Sequence, residues 1–169
     1  MPGLFDDEEP PQSGSDSSPG SPLADRLRPR QLSDIVGQDH LVGPQGTIGR
    51  LVAAGRLSSI ILWGPPGTGK TSLARLLADQ TELHFKAVSA VFSGVADLKK
   101  VFAEAEMRFQ SGKATLLFVD EIHRFNRSQQ DSFLPYVERG TVVLVGATTE
   151  NPSFELNAAL LSRTQVLIL

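Results

Sequence analysis

At 169 residues and 18.2 kDa the chain has room for one domain of ordinary size and too little for two. Its apolar share of 40%, with 15 glycines besides, excludes disorder throughout, and the absence of cysteine excludes disulfides, thiolate metal sites and cysteine nucleophiles. The net charge of −3 is uneven: residues 1–20 carry five acids (Asp6, Asp7, Glu8, Glu9, Asp16) and no Lys or Arg, leaving 16 basic and 14 acidic side chains, a formal +2, for the other 149 residues.

Sixteen of the first twenty residues are Pro, Gly, Ser, Asp or Glu, a composition too poor in apolar surface to offset the entropy of ordering the chain. Residues 1–20 are therefore expected to be a disordered acidic arm, and residues 21–169 a single folded core. Leu4 and Phe5 are either a short docking peptide or simply part of the arm. No apolar run approaches the roughly 18 residues that span a bilayer, and the start lacks the basic and apolar pattern of a secretory signal. A cysteine-free chain has a reduced, cytoplasmic compartment as its default.

Beyond the arm, apolar runs alternate with helical periods. Ser59 to Trp63 reads as a strand buried on both faces, and the segment from Lys70 to Gln80 as a helix with Leu73, Leu76 and Leu77 on one side. His84 to Ser89 is a second strand. Val95, Leu98, Phe102, Ala105 and Phe109 recur at spacings of three and four, the stripe of an amphipathic helix. Thr115 to Val119 is the next buried strand. Asn126 followed by Gln129 forms a capping box that opens a helix with Phe133, Leu134 and Val137 on its apolar face, and Pro135 is expected to kink or shorten it. Val142 to Val145 is a fourth strand, Asn157 to Leu161 a short helix, and Gln165 to Leu169 a final strand. This alternation predicts an α/β fold, a three-layer sandwich around a five-stranded parallel sheet. No segment follows Leu169 to cover the last strand, so the chain is expected to be truncated.

Gly64, Pro65, Pro66, Gly67, Thr68, Gly69, Lys70 and Thr71 complete the phosphate-binding pattern GxxxxGK[ST] between a predicted strand and a predicted helix. Its glycines let backbone N–H groups converge on phosphate oxygens, Lys70 adds positive charge for the β and γ phosphates, and the Thr71 hydroxyl suits Mg²⁺. With Ser72 these residues form the expected nucleotide-binding set. Leu116 to Val119 leads into Asp120 and Glu121, two carboxylates at the C-terminal sheet edge where the phosphate loop also lies. There Asp120 would serve the Mg²⁺ shell and Glu121 would polarise the attacking water. Thr149 is read either as a donor to that water or the γ phosphate, or as a turn residue. Arg163 is read either as serving a neighbouring subunit's nucleotide or as a solvated surface charge.

These motifs resemble the AAA+ ATPases, and among them the clamp-loader branch. The resemblance is carried by Pro22 to Pro29, Val36 to Leu41, Ile61 to Thr71, Phe118 to Asn126 and Gly146 to Asn157. Those stretches are similar to the replication-associated recombination protein A family, relatives of the Werner helicase-interacting ATPase, over about residues 21–169. The resemblance implies that Val36 and Gly37 contact adenine and ribose, that Thr149 is the sensor-1 residue, that Arg163 is an arginine finger acting in trans, and that Ser89 restrains the catalytic glutamate until DNA binds. Arg124, Asn126 and Arg127 are either couplers of DNA to hydrolysis or a cap and two solvated charges. Thr164 departs from the Ser-Arg-Cys signature of clamp loaders.

The resemblance further implies ATP and Mg²⁺ as cofactors and a homo-oligomer in the full-length protein. Its partners would be forked, gapped or single-stranded DNA, with a single-strand binding protein or sliding clamp as further ones, and its setting a bacterial cytoplasm at the nucleoid. Family members continue into a helical lid with a sensor-2 arginine and a C-terminal oligomerisation region. Neither is expected within this chain, so it should bind nucleotide weakly and turn it over slowly. The leading expectation is a DNA-dependent ATPase of replication-fork maintenance, recombination and repair. The alternatives are a clamp-loader subunit, a branch-migration motor, or a recruitment module that binds nucleotide without hydrolysing it.

Overall fold

In a computed structural model of the chain, residues 46–53 and 57–169 are described. The expected acidic arm, Leu4 and Phe5, and Val36 and Gly37, which are expected to contact adenine and ribose, lie outside them. Five strands, β1 (Ile60–Trp63), β2 (His84–Ser89), β3 (Thr115–Asp120), β4 (Val142–Thr148) and β5 (Gln165–Ile168), form one parallel sheet in the order β2-β3-β4-β1-β5. The helices are α1 (Thr47–Ala53), α2 (Lys70–Gln80), α3 (Val95–Gln110), α4 (Arg127–Asp131), α5 (Leu134–Arg139), α6 (Pro152–Glu155) and α7 (Ala158–Leu161), with a 3-10 turn at Ile122–Arg124.

Parallel strands buried on both faces read as continuous apolar runs because helices cover each side. On one face Ile60, Leu62, Leu116, Phe118, Val145 and Ala147 pack with Leu73 and Leu77 of α2 and Ile48 of α1. On the other, Ile61, Leu117, Val119 and Leu144 pack with Leu98 and Phe102 of α3, Phe133 and Leu160. Alternate residues of each strand thus feed opposite cores, which makes the three-layer sandwich expected from the alternation.

Helix α2 and strand β2 run as the sequence predicts. The amphipathic helix also forms, but Val95 and Phe109 at the ends of its stripe are 57% and 41% exposed. The buried stripe is confined to Leu98, Val101, Phe102 and Ala105 in the middle of its sixteen residues. The Asn126–Gln129 box closes reciprocally, Gln129 N donating to Asn126 Oδ1 at 2.8 Å and Asn126 N to Gln129 Oε1 at 3.0 Å. The helix it opens ends at Asp131, and Pro135 falls in the first turn of a second helix, where a missing N–H costs no hydrogen bond. Phe133 is fully buried between the two, its ring edge-on to Phe102 at 5.4 Å. β4 runs three residues further than its apolar run, through Gly146, Ala147 and Thr148, because those residues pair with Ile61, Leu62 and Trp63. Among the described residues, no helix is long and apolar enough to cross a membrane.

Candidate active site

Parallel strands that all point one way put their C-terminal ends, and the loops that follow them, on one edge of the sheet. Here that edge carries a cavity of about 350 Å³ lined by the loop from Pro66 to Ser72, by Asp120 and Glu121 after β3, and by Thr148 and Thr149 after β4. Every catalytic and metal-binding residue expected from the sequence lines it except Arg163. Gly64 and Pro65 of the expected nucleotide-binding set do not line it, but their carbonyls accept from Lys70.

The phosphate loop curls because Gly67 and Gly69 take left-handed φ values of 80° and 81°, which side chains with a Cβ disfavour. No side chain caps the N-terminus of α2, so its first-turn N–H groups and positive dipole end face the cavity. Lys70 Nζ donates to Gly64 O at 2.6 Å and to Pro65 O at 2.9 Å. An ammonium has three donors, so one remains for a phosphate oxygen. Burial holds Lys70 below the ordinary lysine range, and the charges of Asp120 and Glu121 work against that shift. The loop is further tied by Thr68 Oγ1 donating to Pro65 O at 3.0 Å and by Gly64 N donating to Thr148 O at 3.1 Å.

Asp120 ends β3 opposite Ser89 of β2, and Ala90 N donates to Asp120 O at 2.9 Å. Ser89 therefore neighbours Asp120 across the sheet, but it does not line the cavity that holds Asp120 and Glu121. Glu121 turns the chain out of the strand in the left-handed region, φ 52° and ψ 49°, and opens the 3-10 turn. A non-glycine residue held there stores about 1–2 kcal/mol, the kind of strain that collects where a side chain must be aimed. Arg124 Nε stands 3.8 Å from Glu121 Oε2, both side chains being exposed to solvent. Arg127 is exposed as well, while Asn126 is committed to its cap.

Two residues, Thr148 and Gln130, carry more here than spacing assigns them. Thr148, 1% exposed, places Oγ1 2.8 Å from His123 Nδ1, accepts from Glu150 N at 3.0 Å and lies 3.1 Å from Glu150 O. A polar residue two places beyond Gly146 on the inward face of β4 is the signal that could have drawn attention to it. The segments 125–131 and 155–157 are also joined. Buried Gln130 donates to Phe125 O at 3.0 Å and Glu155 O at 3.1 Å and accepts from Asn157 N at 2.8 Å, and Asn157 Nδ2 reaches Arg127 O and Asp131 Oδ1. Arg163, after α7, lies outside the cavity: its Nε donates to Glu138 Oε1 of α5 at 2.5 Å and its Nη1 to Ala159 O at 2.9 Å.

The chain is 55% identical over 148 residues to the replication-associated recombination protein A of Coxiella burnetii, covering 88% of this chain and 33% of that protein. It is 52% identical to the Escherichia coli K12 protein of the same name, with the same coverage, and 51% identical over 146 residues to the ATPase WRNIP1 of Dictyostelium discoideum, covering 86% of this chain and 17% of that protein. The chain thus spans about a third of the length of the bacterial relatives it matches. Among solved structures, the Thermotoga maritima RuvB Holliday junction branch migration motor superposes with a TM-score of 0.65 at 28% identity, over 85% of this chain and 48% of that one. The model of the ATPase family associated with various cellular activities (AAA) matches residues 60–169, and the chain belongs to that family.

Proposed function

We propose that the chain is the nucleotide-binding core of a DNA-stimulated ATP hydrolase acting in replication-fork maintenance, recombination and repair in the cytoplasm. The observation that supports this most is that one cavity gathers Lys70, Thr71, Asp120, Glu121 and Thr149, a constellation suited to phosphoryl transfer to water. The fork-related role rests on the names of the relatives and on a core that is slightly basic once the acidic first twenty residues are set aside.

In this reading the loop amides and the free donor of Lys70 hold the β and γ phosphates. Thr71 and Asp120 would hold Mg²⁺, which supplies charge neutralisation on the phosphate oxygens. Among the described residues no three His, Asp or Glu side chains converge as a metal cage. That fits a cation held by one or two side chains together with phosphate and water oxygens. Glu121 would accept a hydrogen bond from a water in line with the γ phosphorus and take its proton as the water oxygen bonds to phosphorus and the bond to the ADP oxygen breaks. Thr149 donates to the γ phosphate or to that water. Arg163 stands outside its own cavity, as a finger serving the neighbouring subunit of a homo-oligomer would. Val36 and Gly37 contact the adenine and ribose, and forked, gapped or single-stranded DNA is the effector.

Steady-state ATP hydrolysis with and without forked or gapped DNA tests the proposal. DNA should raise the rate of the full-length protein, and Glu121→Gln should lower it by about 100-fold or more with nucleotide still bound. The 169-residue chain should turn over far more slowly than the full-length protein. A Glu121→Gln protein that keeps its biological activity would instead establish a nucleotide-dependent recruitment module. The superposition on RuvB favours a second reading, a branch-migration motor, in which four-way junction DNA stimulates hydrolysis more than forked DNA does. Stimulation by a sliding clamp would point to a clamp-loader subunit.

A further inference from the structure

We infer that His123 is a positioning residue: through Thr148 it locks the turn that carries Glu121 to the strand end that carries Thr149. The inference rests on the proposed roles of Glu121 and Thr149, and concerns how the two are held in register.

Glu121 opens a turn of three residues that has little to hold it. Within the turn Arg124 N donates to Glu121 O at 2.9 Å and Phe125 N to Ile122 O at 3.2 Å, too few bonds to fix a residue whose own backbone is strained. Two side chains anchor it instead, and both land on β4. Ile122 is fully buried against Gly146, and His123 Nδ1 meets the Thr148 hydroxyl. Residues 146 and 148 lie two apart, so they share one face of the strand, and Thr149 is the next residue in the chain.

The Thr148 hydroxyl has one donor and two acceptor sites. It accepts from Glu150 N and donates its one proton to Glu150 O, and with Nδ1 protonated it accepts from the imidazole as well, so all three sites are used. One buried oxygen therefore fixes the backbone just after Thr149 and the ring just after Glu121. A shift of the turn moves the strand end with it. Such a linkage holds the water-polarising carboxylate and the phosphate-facing hydroxyl at a constant separation, and misplacement of reacting groups by about 1 Å is enough to cost a large factor in rate.

The test measures turnover and ATP affinity for wild type, His123→Ala, His123→Asn, Thr148→Val and the His123→Ala/Thr148→Val pair. Hydrogen–deuterium exchange at 121–125 and 147–150 is followed in the same proteins. His123→Ala and Thr148→Val should each lower kcat by about tenfold or more with affinity within about twofold. The double variant should be no slower than the worse single one, since both cut the same link. Asparagine can place an amide where Nδ1 stands and should restore most of the rate. Each single change should raise exchange on both sides of the link.

Wild-type turnover in His123→Ala, losses that multiply in the double variant, or affinity falling in step with rate would each overturn the inference. If the 169-residue chain turns over too slowly to measure, exchange decides alone: a rise confined to the mutated side overturns it. A Glu121→Gln protein as fast as wild type would sink the role proposed for Glu121 while leaving the exchange coupling intact, so the two failures are distinguishable.

Discussion

A methyl group on Gly146 would stand 3.0 Å from Cδ1 and 3.2 Å from Cγ2 of Ile122, and 2.8 Å from Cδ1 of Ile61. Both isoleucines are fully buried, so neither has room to retreat without repacking the core between α3 and the sheet. Gly146→Ala is expected to destabilise the fold by about 1–3 kcal/mol, the usual cost of overpacking. It should slow hydrolysis more than it weakens nucleotide binding, because the displaced Ile122 adjoins Glu121. Urea melts paired with turnover and binding measurements check this, and a variant as stable as wild type would show that Ile122 is not wedged there.

Gln130→Leu keeps an apolar side chain of similar reach but leaves Phe125 O, Glu155 O and Asn157 N without their partner. Buried groups stranded in this way cost about 1–3 kcal/mol. The melting temperature should fall, and protease cleavage should rise first within residues 151–157. Cleavage that rises elsewhere first would mean that Gln130 is not what holds that segment.

Arg163→Ala should lower turnover of the assembled full-length protein while leaving ATP affinity within about twofold. Mixing it with Glu121→Gln should recover part of the rate. An intact site from one subunit then meets an intact arginine from the other. No recovery at any mixing ratio counts against action in trans. The ion pair with Glu138 is solvent-exposed and adds little to stability, so Glu138→Ala should leave the melting temperature nearly unchanged.

Two described non-glycine residues have positive φ, Glu121 and Glu82. Glu82 follows α2 where Leu83 N donates back to Ala78 O at 3.0 Å, a helix end that usually takes glycine. Glu82→Gly should raise stability by up to about 1 kcal/mol with no effect on hydrolysis, whereas Glu121→Gly should relieve the same strain and abolish turnover. Differential scanning calorimetry of the pair reads this directly, and a destabilised Glu82→Gly would refute it.

The His84 imidazole is held below the ordinary histidine range, first by burial and then by the positive charges of Arg108, Lys113 and Lys86. The folded state therefore binds its proton less readily than the unfolded chain. The stability tied to this group is complete above the unfolded pKa of about 6.5, and is lost as pH falls through that value toward the depressed folded one. His84→Asn should flatten the decline in melting temperature between about pH 7 and pH 5. Equal slopes in the two proteins would show that His84 is not the group responsible.

Most of the fold was legible because its strands are runs such as IILW and TLLFV between glycines and helical periods, and the phosphate loop marks one junction outright. The failures share a cause. The apolar run marks β4 only as far as Val145, since Gly146, Ala147 and Thr148 continue no apolar alternation, yet their partners on β1 hold them in the sheet. Val95 and Phe109 have the right spacing for burial, but they lie at the two ends of α3, where they stay exposed. Helix α6 has no periodic signal because it is a single turn started by Asn151, whose Oδ1 accepts from Ser153 N at 3.0 Å. Of the candidate site, spacing located Lys70, Thr71, Asp120 and Glu121. The pairings of His123 with Thr148, and of Arg163 with Glu138, join residues 25 positions apart, and periodicity cannot reveal them.

The sheet order also sets when a nascent chain can acquire its nucleotide site. Among the described residues, β1, which leads into the phosphate loop, pairs with β4 and β5, both far from it in sequence, and Ser59 Oγ accepts from Leu144 N across 85 positions. Closing so long a loop is slow and must precede the contacts that reward it. During synthesis β2 and β3 can pair first, while the Gly64–Thr71 segment waits as an unpaired loop end. The cradle for phosphate thus becomes competent only after Val142 to Thr148 have left the ribosome, by which point Asp120 and Glu121 are already made.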